Sequence, residues 1–294
     1  MSKHQHHRNT IFPEKAKILR HQAHEGQQYS LQLQAPEIAK RAEPGSFVHI
    51  QVDPQRPLRR PISIMRADPN NGTIELLYKV FGEGTRLLSQ RQVGEKLDLL
   101  GPIGTPFTAH MNRPRPLLIG GGVGIPPMVF LADRLRAIKG AYQPLVIMGS
   151  EVPFPFQARP SQIMLPGIPA DTIAAMPLLE DWGIASRLTS KQGYPGVFDG
   201  YVTELARQWL DGLSEEQRAE VEVFSCGPHP MLEAVAALAR EYHLPCQVSM
   251  EEFMACGVGG CAGCVVEVQT EQGPAMKRVC VDGPVFDAKM VFPG

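Results

Sequence analysis

The sequence predicts a multidomain protein. An antiparallel β-barrel spans residues 10–111, an α/β doubly wound domain spans 112–245, and a small C-terminal β-hairpin domain spans 246–294. Three observations carry this reading. Period-two runs broken by turn residues fill the first hundred positions, with few helical patterns among them. Past Gly104 the texture changes to strand, glycine turn and helix. Finally, four of the six cysteines crowd into the stretch from Cys256 to Cys280.

The bulk properties narrow the classes. A chain of 294 residues has room for about two ordinary domains. Hydrophobic residues make up 43% and charged residues 20%, enough to bury real cores. The net charge of -1 gives no electrostatic footprint for nucleic acid or an anionic membrane. No apolar run approaches the ~20 residues of a membrane span. The polar start from Met1 to Asn9 has no apolar signal core, which points to a reducing cytoplasm and suits uncrosslinked thiols. His4, His6 and His7 form a possible metal tract, although a solvated, frayed terminus explains them better.

In the barrel, Tyr29–Gln34, Phe47–Val52 and Thr73–Val80 alternate, the last after the turn Asn70-Asn71-Gly72. Two motifs lie among them. Arg60-Pro61-Ile62-Ser63 offers a guanidinium fork for a phosphate, a stiffened strand edge and a hydroxyl beside a ring system. Gly82-Glu83-Gly84-Thr85 opens a helix, and freed N–H groups there make an anion site, although a plain cap explains it equally well. Each is weak alone. Together on one barrel they describe a cradle for a flavin dinucleotide.

The second domain begins with a buried strand from Pro116, the turn Gly120-Gly121-Gly122-Val123-Gly124, and a helix from about Pro127 to Ile138. This is the phosphate-binding first unit of a doubly wound sheet, in a form that departs from strict G-x-G-x-x-G. A second strand follows from Pro144 to Gly149. Near the end, Val221–Cys226 is a strand that turns at Gly227-Pro228 into a helix from Pro230 to Tyr242. Cys226 is either a buried small residue or a group approaching a nicotinamide ring. Cys246 is read as structural or linker. The stretch from Glu151 to Met176 is rich in proline and poor in charge, an irregular insertion of no evident role.

The last segment holds the most specific pattern. Cys256, Cys261 and Cys264 are spaced C-x4-C-x2-C, and Cys280 follows the third after fifteen intervening residues. This is close to the plant-type ligand spacing of a [2Fe–2S] cluster. Four thiolates must wrap a compact charged object, and Gly257, Gly259, Gly260 and Gly263 let the chain bend around it. A structural zinc site more often shows two C-x2-C knuckles, and three cysteines in nine residues of tight loop suit disulfides poorly. Val265–Gln269 and Met276–Cys280, joined by Glu271-Gln-Gly-Pro, read as a hairpin that returns Cys280 to the other three.

The ordered set Arg60-Pro-Ile-Ser, Leu77-Tyr-Lys, Gly84-Thr85, Gly120-Gly-Gly-Val-Gly-Ile-Pro-Pro, Cys226-Gly-Pro and the cysteine tail with Asp282-Gly-Pro-Val-Phe resembles a known family. It is similar to the iron–sulfur flavoprotein, electron-transfer subunits of NAD-dependent dihydroorotate dehydrogenase, within the ferredoxin reductase-like superfamily. The resemblance runs from about Ile11 to the end. It implies FAD on the barrel, with Arg60 at its phosphates, Pro61 beside it in the binding stretch, Ile62 and Ser63 along the isoalloxazine, Leu77, Tyr78 and Lys79 along the dinucleotide, and Gly84 and Thr85 on the pyrophosphate. NAD, or NADP, would meet Gly121, Gly122, Gly124, Cys226, Gly227 and Pro228. The [2Fe–2S] cluster would be held by Cys256, Cys261, Cys264 and Cys280. The partner implied is an FMN-containing catalytic subunit that oxidises dihydroorotate in pyrimidine biosynthesis, in a hetero-oligomer.

The need for three redox components follows from electron counting. A nicotinamide gives two electrons as hydride, a cluster moves one at a time, and a flavin does both. No Ser/His/Asp or paired-carboxylate constellation stands out, so no catalytic side chain is assigned. Two features depart from the family pattern. An acidic Asp-Gly-Ser stretch is replaced by Ala185-Ser-Arg-Leu-Thr-Ser-Lys-Gln-Gly193, and Arg187 and Lys191 there offer either a 2′-phosphate site or plain solvated charge. The proline-rich insertion would also alter a partner surface. Alternative readings are the small subunit of an NADPH–ferredoxin oxidoreductase or sulfhydrogenase-type complex, or a zinc-stapled binding module without enzymatic activity.

Overall fold

The structure is a computed structural model describing residues 10–294. His4, His6 and His7 lie outside the described residues. Two compact units are formed: residues up to Pro106 with Met250–Val285, and Phe107–Ser249 with Phe286–Gly294.

In the first unit, β1 (Phe12–His24), β2 (Gln28–Gln34), β3 (Phe47–Gln51), β4 (Arg60–Asp68), β5 (Thr73–Lys79) and β6 (Lys96–Ile103) close an antiparallel barrel in the order β1-β2-β5-β4-β3-β6. A short α1 (Pro36–Ala39) follows β2, and α2 (Gly82–Ser89) follows β5. Alternation fills the interior with Ile18, Leu31, Leu33, Ile64, Ile74 and Leu76, all essentially inaccessible to solvent. Each such side chain contributes about 1.5–3 kcal/mol on leaving water. The turn between β4 and β5 is closed as its sequence requires. Asp68 Oδ1 accepts from the Asn70 and Asn71 N–H groups at 2.9 and 3.1 Å, and Gly72 takes φ +63°. Closure leaves the barrel no free edge.

The second unit is a six-stranded sheet in the order β11-β8-β7-β12-β13-β16. The chain enters it through β7 (Arg115–Gly121), the turn Gly122–Gly124, α3 (Ile125–Ala137) and β8 (Leu145–Gly149). Helix α3 starts two residues before the expected Pro127, because prolines in a first turn lose no hydrogen bond they would have made. After β9 (Arg159–Pro160), β10 (Ala174–Ala175) and α4 (Pro177–Asp181) comes β11 (Ala185–Thr189). Then follow α5 (Val202–Asp211), α6 (Glu215–Ala219), β12 (Val221–Cys226), α7 (His229–Glu241) and β13 (Cys246–Ser249). Strands β11, β8, β7, β12 and β13 pair in parallel, each with its neighbour, and right-handed helical crossovers are the usual way to connect such strands.

The chain then forms the antiparallel hairpin β14 (Val265–Thr270) and β15 (Gly273–Arg278) of the first unit, before ending with β16 (Val285–Asp287) and α8 (Ala288–Val291). The hairpin turns at Glu271-Gln272, since Thr270 pairs with Gly273. Among the described residues no helix is long and apolar enough to cross a membrane.

The insertion is less irregular than its composition implies. Strands β9 and β10 pair across it, and Glu180 of α4 accepts from the Ser161 hydroxyl (3.0 Å) and the Gln162 N–H (2.6 Å). Arg187, placed by sequence either at a 2′-phosphate or in solvent, does neither. It sits at 5% exposure in β11 and donates to the carbonyls of Ser186 (2.7 Å) and Ile163 (2.8 Å). Burial holds its guanidinium pKa below the usual value, with the charge of Glu180 opposing the shift.

Candidate functional site

Within the first unit two groups of residues converge. The first joins β4 to the start of α2. A Cβ placed on Gly84 would lie 2.2 Å from Arg60 Nε, so the helix start rests directly on the guanidinium. Arg60 donates to the Leu58 and Arg59 carbonyls at 2.9 and 3.2 Å and makes no ion pair among the described residues. No side chain of Phe81, the residue before α2, caps the helix. Instead the Thr85 hydroxyl accepts from the Phe81 N–H at 2.7 Å and donates to its carbonyl at 2.9 Å. A positive fork beside uncapped helical N–H groups is the kind of arrangement that suits a phosphate. Ile62 is buried and Ser63 half-buried on β4. On β5, Leu77 and Lys79 share one face, and Tyr78 points to the other. Tyr78 is buried there, stacked on Tyr29 at 5.4 Å, with its hydroxyl 2.8 Å from His21 Nε2. Burial raises its pKa well above the phenol range.

The second group is the cysteine tail. None of the six cysteines is in a disulfide. The tail thiols act on one another: Cys256 interacts with Cys261, and Cys280 with both Cys264 and Cys256. Four mutually interacting thiols could supply the four protein ligands of a [2Fe–2S] cluster. Among the described residues, no three or more His, Cys, Asp or Glu side chains close on the site of a single ion. Backbone donors surround the sulfurs. Val258 N–H points at Cys256 Sγ and Gly263 N–H at Cys261 Sγ, both at 3.4 Å. Burial works to raise the Cys256 pKa, but the N–H groups of Val258, Cys261 and Gly260 and the Cys261 thiol outweigh it and bring it to about 7. Cys280 is pushed up to about 12 by burial, then by Cys264 and the charge of Cys256, with the Gly259 N–H opposing. Holding iron would require these cysteines as thiolates, and the same N–H donors would then stabilise the thiolate sulfur.

Sequence reasoning missed two residues that hold this loop. Arg278 donates from its guanidinium to the Gly259 carbonyl at 3.0 Å and to Asp282 Oδ2 at 3.2 Å, and its backbone N–H also reaches Asp282 at 2.8 Å. His49, on β3, is fully buried beneath Gly257, where a Cβ would lie 2.6 Å from its Nδ1. Neither ring nitrogen meets hydrogen-bond geometry. Burial, then the charge of Arg59, brings the His49 pKa down to about 4, against an upward pull from the Cys256 and Arg59 backbones. The available signal was a polar residue in the middle of an apolar strand, Phe-Val-His-Ile.

In the second unit, the glycine turn lies against the turn after β12. Gly120 pairs with Cys226 across the parallel strands. A Cβ on Gly124 would fall 2.2 Å from the Cys226 carbonyl oxygen, and one on Gly121 would fall 2.5 Å from Met231 Sδ and 3.3 Å from Pro228 Cδ. Gly122 takes φ +54° with open space around it. The sheet therefore brings Gly121, Gly122, Gly124, Cys226, Gly227 and Pro228 together at the carboxyl ends of two adjacent parallel strands, where open α/β sheets bind ligands. Pro126 and Pro127 remove two donors from the start of α3. Lys191 is exposed, its Nζ 5.1 Å from the Tyr201 ring centre.

A closed barrel with a phosphate cradle, a doubly wound sheet with a glycine turn and a four-thiol tail define a ferredoxin reductase-like flavoprotein with an iron–sulfur segment. Residues 17–107 match the oxidoreductase FAD-binding domain, and residues 251–292 match the iron–sulfur cluster binding domain of dihydroorotate dehydrogenase B. Over 267 residues the chain is 33% identical to the dihydroorotate dehydrogenase B (NAD(+)) electron transfer subunit of Desulforamulus reducens, covering 90% of this chain and 92% of that one. The counterpart in Caldanaerobacter subterraneus subsp. tengcongensis is 36% identical over 256 residues, 86% and 88% of the two chains. The chain belongs to this family of electron transfer subunits. Among solved structures, that of an NADH-dependent reduced ferredoxin-NADP oxidoreductase superposes with a TM-score of 0.76 at 24% identity, covering 95% of this chain and 90% of that one. A ferredoxin NADP+ reductase from Neisseria gonorrhoeae gives 0.57 at 16% identity, over 78% and 91%.

Proposed function

We propose that this chain is the electron-transfer subunit of a cytoplasmic, NAD-dependent dihydroorotate dehydrogenase, working in a hetero-oligomer with an FMN-containing catalytic subunit of pyrimidine biosynthesis. The observation that carries the reading is the presence, in one compact unit, of the Arg60–Gly84 cradle and the four tail thiols. Its family supports the partner and the substrate of the whole enzyme.

The protein divides the work among three modules: barrel, sheet and cysteine tail. Arg60 with Gly84 and Thr85 binds the FAD phosphates, beside Pro61; Ile62 and Ser63 flank the ring system, and Leu77 and Lys79 line the dinucleotide. The Tyr78 side chain acts from behind, through Tyr29 and His21, and fixes β5 rather than touching the nucleotide. Gly121, Gly122, Gly124, Cys226, Gly227 and Pro228 shape the nicotinamide nucleotide crevice. Cys256, Cys261, Cys264 and Cys280 hold [2Fe–2S]. Flavin supplies the chemistry that converts a hydride's electron pair into single electrons. The residues around it orient the isoalloxazine, keep the thiolates free of protons and shield them with aimed N–H groups. No side chain has to shuttle a proton. Arg187 is spent on Ile163, so Lys191 is the one basic residue of its stretch left for a 2′-phosphate, and NAD is the expected nucleotide.

The test is anaerobic copurification from the native cell, with flavin, iron and dihydroorotate:NAD oxidoreductase activity measured on the complex. Equimolar FAD and FMN with two irons per pair, and activity with dihydroorotate, is the expected outcome. A colourless protein holding zinc, or an iron–sulfur flavoprotein whose partner ignores dihydroorotate, overturns it.

A further inference from the structure

We propose that His49 is a positioning residue for the iron–sulfur centre, the contact through which the flavin-bearing barrel grips the cysteine loop. The proposal rests on the cluster reading above and names a role for a side chain that is not itself a ligand.

The argument begins with cost. A neutral imidazole carries one N–H donor and one acceptor nitrogen. Burying either without a partner costs about 1–3 kcal/mol. An aliphatic residue would avoid that cost at this position, since His49 is itself fully buried. The ring also faces a defined object. Its Nδ1 edge lies against Gly257, which sits at φ +68° and has no side chain to stand in the way. The residue before it is Cys256, the first thiol of the loop. On its strand, His49 pairs with Pro61 of the Arg60-Pro61-Ile62-Ser63 stretch on one side and with Leu100 on the other. One side chain thus links the strand beside the flavin motif to the first cysteine of the loop, within a single compact unit.

A ring N–H directed at the loop backbone does two things. It fixes Cys256 relative to β3 and β4, and so fixes the separation across which electrons pass. It also withdraws electron density from the loop carbonyls nearest the cluster, which tunes the potential as other second-sphere donors do. Gly257 is then required for two reasons, its left-handed backbone and the room it leaves for the ring.

The experiment compares His49→Met, which keeps bulk without a donor, with His49→Gln, which restores an N–H. Both are made in the full-length holoprotein, purified anaerobically with its partner. Iron release to a chelator, the cluster midpoint potential and the reduced-state electron paramagnetic resonance spectrum are read, with bound FAD as the control for fold. H49M should keep its FAD, lose iron roughly tenfold faster and shift in potential, the lower end of what partners of metal ligands contribute. H49Q should recover most of both. Wild-type behaviour in H49M, or equal damage in both variants, overturns the proposal. If H49M does not fold, wild-type protein labelled with 15N-histidine decides. A weak imidazole coupling to the reduced cluster supports the contact, and its absence overturns it. Wild-type protein without iron would instead bring down the cluster reading itself.

Discussion

The chain has two glycine-rich turns, and they use the same residue for opposite ends. In the nucleotide turn, glycine makes room for packing: Gly124 lies under the Cys226 carbonyl, and Gly121 lies under Met231. In the cysteine loop Gly257 and Gly259 lie close against His49 and Val281, but the space around Gly260 is open and Gly263 meets only Cys261 Sγ at 3.5 Å, so glycine at these two positions bends the chain and exposes N–H groups. One turn is rigid because it is crowded. The other has little packing of its own and is held from outside, by Arg278 on the hairpin and His49 on the barrel. Density of glycine in a sequence therefore says that backbone must come close to something, and the neighbours decide whether that is protein or a bound group.

The largest effect that would sharpen this contrast is Cys280→Ser. Losing one of the four thiolates should abolish the cluster, with iron falling to background and the visible absorption reduced to that of flavin. FAD should remain near one per chain, because the Arg60–Gly84 cradle is untouched. Loss of both cofactors together would break the separation drawn here. Next comes Gly124→Ala, which drives a methyl into backbone. Overpacking of this kind costs about 1–3 kcal/mol, measured as a lower denaturation midpoint with unchanged iron. Arg278→Gln should cost about 1.5 kcal/mol, the low end for a hydrogen bond to a charged group. It should show as faster iron loss rather than as global unfolding. Smallest of all, Gly260→Ala meets nothing and needs no left-handed backbone, so stability should move by less than about 0.5 kcal/mol. A large loss of iron in that variant would mean the loop is as crowded as the nucleotide turn.

Much of this architecture was legible in the residues. The four cysteines, Arg60 with Gly84, and the glycine turn all sit on short spacings, where local geometry dictates residue type. What escaped notice lies on strands whose neighbours come from far along the chain. Strand β11, Ala-Ser-Arg-Leu-Thr, has a polar composition, yet all five of its residues are buried, with the Arg187 guanidinium donating to the Ile163 carbonyl and the Ser186 hydroxyl accepting from the Met176 N–H. Strand β1 carries Glu14, Lys15, Lys17 and Arg20 on a barrel wall, and the charges hide its alternation. His49 and Arg278 become interpretable only once folding places Gly257 and Gly259 against them.

The buried guanidinium of Arg187 has a consequence for how this chain can vary. Its hydrogen bond to Ile163 lies inside the proline-rich segment, so excising that segment would strand a cation in the sheet with a carbonyl missing. Relatives lacking the segment should therefore carry a small or apolar residue where β11 places Arg187, and an engineered deletion should succeed only alongside that second change.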